Sequence, residues 1–308
     1  MPKRLQGVLP IVHTPFTDDD EIDEATLRRE VDWIFATGAD GLGTGMVSEL
    51  LRLTIAERLR LTEMLVAAAA GRGAVFAGVG AESTRQAVEL AQAAERAGCD
   101  AVMSTPPMLT RLSPSDQTAY YRAIADAVAV PVIVQDASGY VGQAIATSVY
   151  VALLEKYGEE KIVFKPEASP IGPNLSALRD ATGGRARIFE GSGGILLVDS
   201  FRRGIAGTMP GVDLLDGVVA LWKCLMRGDD ANAYRLYFPI SAIVALQLQA
   251  GLDGFLAIEK HLLVRRGLFT SERRRRPYSW DLDAETAAEV DRLFAILQEA
   301  LRAERIGL

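Results

Sequence analysis

The chain has 308 residues, 49% hydrophobic and 24% charged, which suits one large α/β domain or two modest ones. A net charge of −7 leaves no overall basic face for nucleic acid. With only Cys99, Cys224, His13 and His261 scattered along it, the chain carries no disulfide framework and no His-based metal site is expected.

In chain order, short apolar strands are predicted over 7–13, 41–43, 75–79, 101–104, 131–135, 162–165, 187–190 and 207–209. Amphipathic helical patterns follow them over 24–35, 55–70, 83–97, 114–128, 147–156, 174–180, 195–201 and 214–226. Eight strands, each followed by a helix, match an α/β (β/α)8 TIM barrel in count and in length. A doubly wound sheet also alternates strand and helix but rarely needs eight such units. The segments 36–41 and 96–101 repeat one device, a helix ended by Gly38 or Gly98 that turns into the next strand, and 203–207 is a looser copy. After about residue 226 the strand pattern stops, and helices are predicted over 229–249, 252–264 and 284–305. The chain therefore divides into a barrel over 1–226 and a C-terminal helical extension over 227–308, with no low-complexity linker. Arg273-Arg274-Arg275-Arg276, just before Pro277, reads as a solvated loop or a subunit contact. The segment Met1-Pro2-Lys3-Arg4-Leu5 has no apolar signal core and no stretch approaches a membrane span, so a cytoplasmic location is expected.

The chemistry centres on Lys165, which ends the apolar run Ile162-Val163-Phe164 and is followed by Pro166-Glu167. Such a run reads as a buried parallel strand, so its terminal lysine points from a dry interior toward the top of the sheet. Burial disfavours the charged form of an amine, and a neutral amine attacks a ketone to form a Schiff base. The alternative is a lysine that lifts its head into solvent at a strand end. Of the six lysines, the other five sit in polar or helical contexts. Barrel enzymes carry their chemistry on the loops after the strands. Here those loops hold His13-Thr14-Pro15-Phe16, Gly43-Thr44-Gly45-Met46-Val47-Ser48-Glu49, Thr105-Pro106, Gln135-Asp136, Glu190-Gly191-Ser192-Gly193-Gly194 and Gly207-Thr208-Met209-Pro210-Gly211.

In that order the motifs resemble the dihydrodipicolinate synthase / N-acetylneuraminate lyase family of Schiff-base barrel enzymes, over essentially the whole chain. The resemblance implies an imine between Lys165 and a 2-oxo acid such as pyruvate, with neither metal nor organic cofactor. It places the substrate carboxylate cradle at Gly45-Met46-Val47-Ser48, where the family's two threonine hydroxyls are missing, and sets the Met209 carbonyl against the bound acid. Gln135 stands where the family has a proton-relaying tyrosine, and an amide does not titrate near neutral pH. The arginine that binds the second substrate in the synthases falls at Tyr140, and Met108 and its neighbours supply no second phenol. Glu167 is a candidate proton carrier, on the same side as Lys165 if the strand continues past Pro166. Asp136 is a candidate proton carrier or substrate contact, or a loop holder, and His13 reads as a structural histidine.

These features imply a Schiff-base lyase, an aldolase or dehydratase, acting on a 2-oxo acid and in particular a 2-oxo-3-deoxy sugar acid. The alternatives are the lysine-pathway synthase, 4-hydroxy-tetrahydrodipicolinate synthase, and a catalytically silent barrel that binds an oxo acid. The family forms dimers and tetramers, and the apolar side of 238–248 is compatible with an interface.

Overall fold

The computed structural model describes residues 3–139 and 141–306. Five parallel strands pair in chain order: β2 (Gly41–Gly43), β3 (Ala74–Gly78), β4 (Ala101–Ser104), β5 (Val132–Asp136) and β6 (Ile162–Pro166). The other three, β1 (Gly7–Val8), β7 (Phe189–Glu190) and β8 (Gly207–Thr208), pair in the order β1-β8-β7. Single parallel bridges close both seams, Ile11 to Gly43 and Phe164 to Ile188. The result is the (β/α)8 barrel expected from the alternation.

The first strand is much shorter than the predicted 7–13. Pro10 has no N–H to give to a ladder, so regular pairing stops at Val8 and resumes only as bridges from Ile11 to Gly43 and Gly211.

Strand alternation sorts the apolar residues into two cores. Leu9, Ile11, Phe76, Met103, Ile133, Val163, Phe189 and Met209 fill the barrel interior. Val132, Val134, Ile162 and Phe164 face outward and join the helices in the larger core. The barrel helices are α1 (Glu24–Ala36), α2 (Ile55–Ala69), α3 (Thr84–Ala97), α4 (Pro114–Ala127), α5 (Thr147–Tyr157), α6 (Ile171–Ala181), α7 (Leu197–Arg202) and α8 (Leu215–Arg227). Asp23, Thr54, Ser83 and Ser113 each accept a backbone N–H from the first turn of the helix they precede. Helix α6 begins earlier than the predicted 174, because Pro173 lies in its first turn, where no donor is needed.

The C-terminal helices are α9 (Asp230–Gln247), α10 (Gly251–Arg265) and α11 (Ala284–Ile306). The stretch Asp230–Arg265 is, against the sequence reading, long and apolar enough to cross a membrane by length and composition. Half of its most apolar window is buried inside the molecule, and a 3-10 turn at Leu248–Ala250 divides it into two helices. Helix α9 packs on α8 and α11 on α9.

The arginine run also departs from expectation. Arg274 is only 9% exposed, and its guanidinium lies 2.7 Å from the Asp281 carboxylate. Arg275 reaches Glu57 at 2.8 Å and Asp20 at 3.0 Å. Two members of the run are thus tied into the molecule by carboxylates, not solvated.

Candidate active site

Lys165 and Gln135 are direct partners across β5 and β6, and both face the mouth of the barrel in line with Val163 and Ile133. Lys165 is 4% exposed, so its amine does not reach solvent at the strand end. Strand β6 runs through Pro166, and the Glu167 backbone N–H donates to the Asp136 carbonyl at 2.9 Å. That bond holds Glu167 on the same side as Lys165. Its Oε2 accepts from the Gln135 amide at 2.7 Å and lies 3.4 Å from the Lys165 Nζ. Burial pushes the Glu167 carboxyl above its ordinary range, and nearby Glu190 adds to that effect. The Lys165 amine and the Gln135 amide pull in the opposite direction.

These three side chains line one cavity, together with Met46, Val47 and Met209 of the predicted set. Gly191 makes the close approach possible, since a Cβ there would stand 2.3 Å from Lys165 Cε and 2.4 Å from Glu167 Oε1. Met46 and Val47 open a 3-10 turn (Met46–Ser48), whose first N–H groups have no partner within the turn.

Two predicted substrate contacts stand apart from this cavity. The Ser48 hydroxyl donates to the Val12 carbonyl at 2.5 Å and accepts from the Gly45 N–H at 3.1 Å, so it is already occupied. Asp136 follows Gln135, so alternation turns it outward. It accepts from the Ser138 and Ile145 N–H groups at 2.9 and 2.7 Å, which makes it a loop holder. The buried phenols nearby do not replace the missing relay. Tyr121 donates to the Ser104 and Gln135 carbonyls, and Tyr150 to Asp136, and none of these phenols lines the cavity. Tyr140 lies outside the described residues.

Several contributors escaped the sequence reading. Helix α10 roofs the cavity with Leu252, Phe255 and Glu259. Next to Glu259, Lys260 is fully buried, which its polar or helical sequence context did not indicate. Its ammonium donates to Glu49 Oε1 at 2.5 Å, the Thr14 carbonyl at 2.8 Å and the Arg273 carbonyl at 2.6 Å, which uses all three donors. This clamp holds Glu49 in the left-handed region (φ 59) at the end of the Met46–Ser48 turn. The signal was present as a charged Glu-Lys pair inside the apolar stretch 255–263. His13 is buried, with Nε2 2.7 Å from Glu259 Oε2 and Nδ1 3.5 Å from Glu30 Oε1. Among the described residues, no group of three or more His, Cys, Asp or Glu side chains could hold a metal ion.

The family model described as the dihydrodipicolinate synthetase family matches residues 4–295. The chain belongs to that family. It is 29% identical to the L-2-keto-3-deoxyarabonate dehydratase of Azospirillum brasilense over 295 residues, covering 93% of each chain. It is 32% identical to the 4-hydroxy-tetrahydrodipicolinate synthase of Chloroherpeton thalassium over 189 residues, which are 61% of this chain and 58% of that one. The crystal structure of dihydrodipicolinate synthase from Rhodopseudomonas palustris superposes with a TM-score of 0.85 at 26% identity, covering 95% of this chain and 98% of that one.

Proposed function

We propose that the protein is a class I lyase that forms an imine between Lys165 and a 2-oxo acid, and that its substrate is a 2-oxo-3-deoxy sugar acid. The observation that carries this reading is the buried set Lys165, Glu167 and Gln135 around one carboxylate oxygen in the cavity at the barrel mouth. The Lys165 amine attacks the C2 carbonyl, and loss of water leaves an iminium that acidifies C3. Glu167, 3.4 Å from the amine, is placed to take the C3 proton, and burial raises its affinity for protons above that of an ordinary carboxylate. Gln135 orients Glu167 and donates to substrate oxygens. The Met46 and Val47 N–H groups receive the C1 carboxylate, and the Met209 carbonyl faces the bound acid. Full-length similarity to a sugar-acid dehydratase supports the substrate class. The synthase alternative has support in the similarity to a synthase, but the cavity offers an amide and a carboxylate where that reading needs a phenol. A silent binder would have no need of a buried amine beside a raised carboxyl.

Borohydride reduction in the presence of pyruvate should add the mass of reduced pyruvate to the intact protein. Lys165→Ala should remove the adduct and leave the fold unchanged, whereas an adduct on Lys161, or none in the wild type, refutes the reading. The same proposal includes a cytoplasmic homo-oligomer, dimer or tetramer. Phe238 is 64% exposed and Leu248 43%, while Ile240, Ile243 and Val244 between them are buried. Light scattering of the purified protein measures the state directly.

A further inference from the structure

Glu259 lines the same cavity as Lys165, and the chemistry above gives it no task. The residue is 2% exposed. Its Oε2 accepts from His13 Nε2, while Oε1 has no hydrogen-bond partner among the described residues. Oε1 faces Gly211, another cavity residue, where a Cβ would stand only 2.5 Å away. An apolar side chain would occupy this wall at lower desolvation cost, so a half-satisfied carboxylate in the cavity that holds the reacting lysine points to chemistry.

The groups around it form a proton store. Burial works against the His13 imidazolium, yet the Glu259 and Glu30 carboxylates outweigh it and raise the group to about 10. Asp213, whose Oδ1 also lies near Gly211, is raised to about 7 by burial and by Glu259. Gln247 donates to Asp213 at 2.8 Å, and the Arg266 guanidinium bonds the Asp213 carbonyl. The carboxylate therefore has an imidazolium on one oxygen and the cavity on the other.

We propose that Glu259 is a catalytic acid–base residue that moves the proton on the substrate's C4 oxygen, with His13 as the positioning residue that holds its other carboxyl oxygen. This rests on the imine reading. After Glu167 takes the C3 proton and the iminium becomes an enamine, the C4–O bond breaks and its electron pair leaves on oxygen. A proton passes to that oxygen from the Glu259 carboxyl, which carries it on Oε1 at this stage, to form water; the carboxylate left behind is held on Oε2 by His13 Nε2, and the proton that Glu167 took returns to Glu259 through water to close the cycle. The nitrogen lone pair re-forms an iminium conjugated with C3=C4, and water later hydrolyses it. In aldol cleavage the same carboxylate accepts the C4 hydroxyl proton while the C3–C4 bond breaks. Neither route needs an oxidant or a reductant.

The test compares three readouts on the full-length wild type and Glu259→Gln: borohydride trapping of pyruvate, deuterium exchange at pyruvate C3 in D2O, and turnover of 2-oxo-3-deoxy sugar acids. Trapping and exchange should stay within about threefold of wild type, while turnover falls roughly 10²–10⁴-fold, the usual cost of a lost acid–base group. Glu259→Asp, which keeps a carboxylate, should recover part of the turnover. Turnover within threefold of wild type in Glu259→Gln overturns the proposal. A parallel loss of all three readouts also overturns it, because that is the signature of a purely structural carboxylate. If Glu259→Gln does not accumulate folded, His13→Gln carries the same test with the same expected split. Absence of an adduct in the wild type itself refutes the imine reading, and this inference with it.

Discussion

Replacing Gly191 by alanine tests the packing that brings lysine and carboxylate together. The added Cβ would stand 2.3 Å from Lys165 Cε and 2.4 Å from Glu167 Oε1, whereas ordinary contact begins near 3.4 Å. Each group must therefore yield by about 1 Å. Gly191 is not among the positive-φ glycines, so alanine meets no backbone penalty and the effect is steric alone. A misplacement of ~1 Å at a reacting group costs on the order of 10²-fold in rate. Gly191→Ala should lower kcat/KM by about that factor and slow borohydride trapping of pyruvate in proportion. The thermal midpoint should move little, because the displaced atoms are the far ends of side chains that border a cavity. Trapping and turnover within threefold of wild type would refute the claim that Gly191 sets this geometry.

Lys260→Met should take the nearer cation from the buried Glu49 carboxylate, leaving only Arg52 at 3.8 Å, and cost up to about 3–5 kcal/mol, read as a lower urea midpoint; an unchanged midpoint contradicts the clamp. His13 is raised from 6.5 to about 10, so its stabilising contribution is complete below pH 6.5 and disappears as pH climbs through 10. Unfolding free energy should therefore fall by on the order of a few kcal/mol between pH 6.5 and 10, and His13→Asn should flatten that slope; equal slopes speak against a charged His13. Condensation of pyruvate with aspartate semialdehyde should be weak beside turnover of a sugar acid, since Gln135 cannot relay a proton. A semialdehyde kcat/KM of ~10⁴ M⁻¹s⁻¹ or more, with no sugar-acid turnover, would restore the synthase reading. Chelators should leave turnover unchanged, because the imine supplies the electron sink; loss restored by a divalent ion argues otherwise.

The sequence by itself determined the barrel, the family and the position of Lys165. Those depend on local signals: apolar runs with period two, helix patterns, and a charged residue at a strand's end. Alternation along β5 and β6 placed Gln135 and Lys165 on the inner face, and the bond from the Glu167 N–H to the Asp136 carbonyl kept Glu167 there past Pro166. Only the tertiary structure decided which polar groups reach the cavity. Ser48 was spent on the Val12 carbonyl and Asp136 on the loop at Ser138 and Ile145, choices made by contacts that no spacing reveals. Glu259 is more than ninety residues from Lys165 in sequence and shares its cavity only because α10 folds across the barrel mouth. Lys260 is buried for the same reason. A charged residue in an apolar helix marks a partner to be found, but the partner's identity is set by long-range packing, which a one-dimensional pattern does not carry.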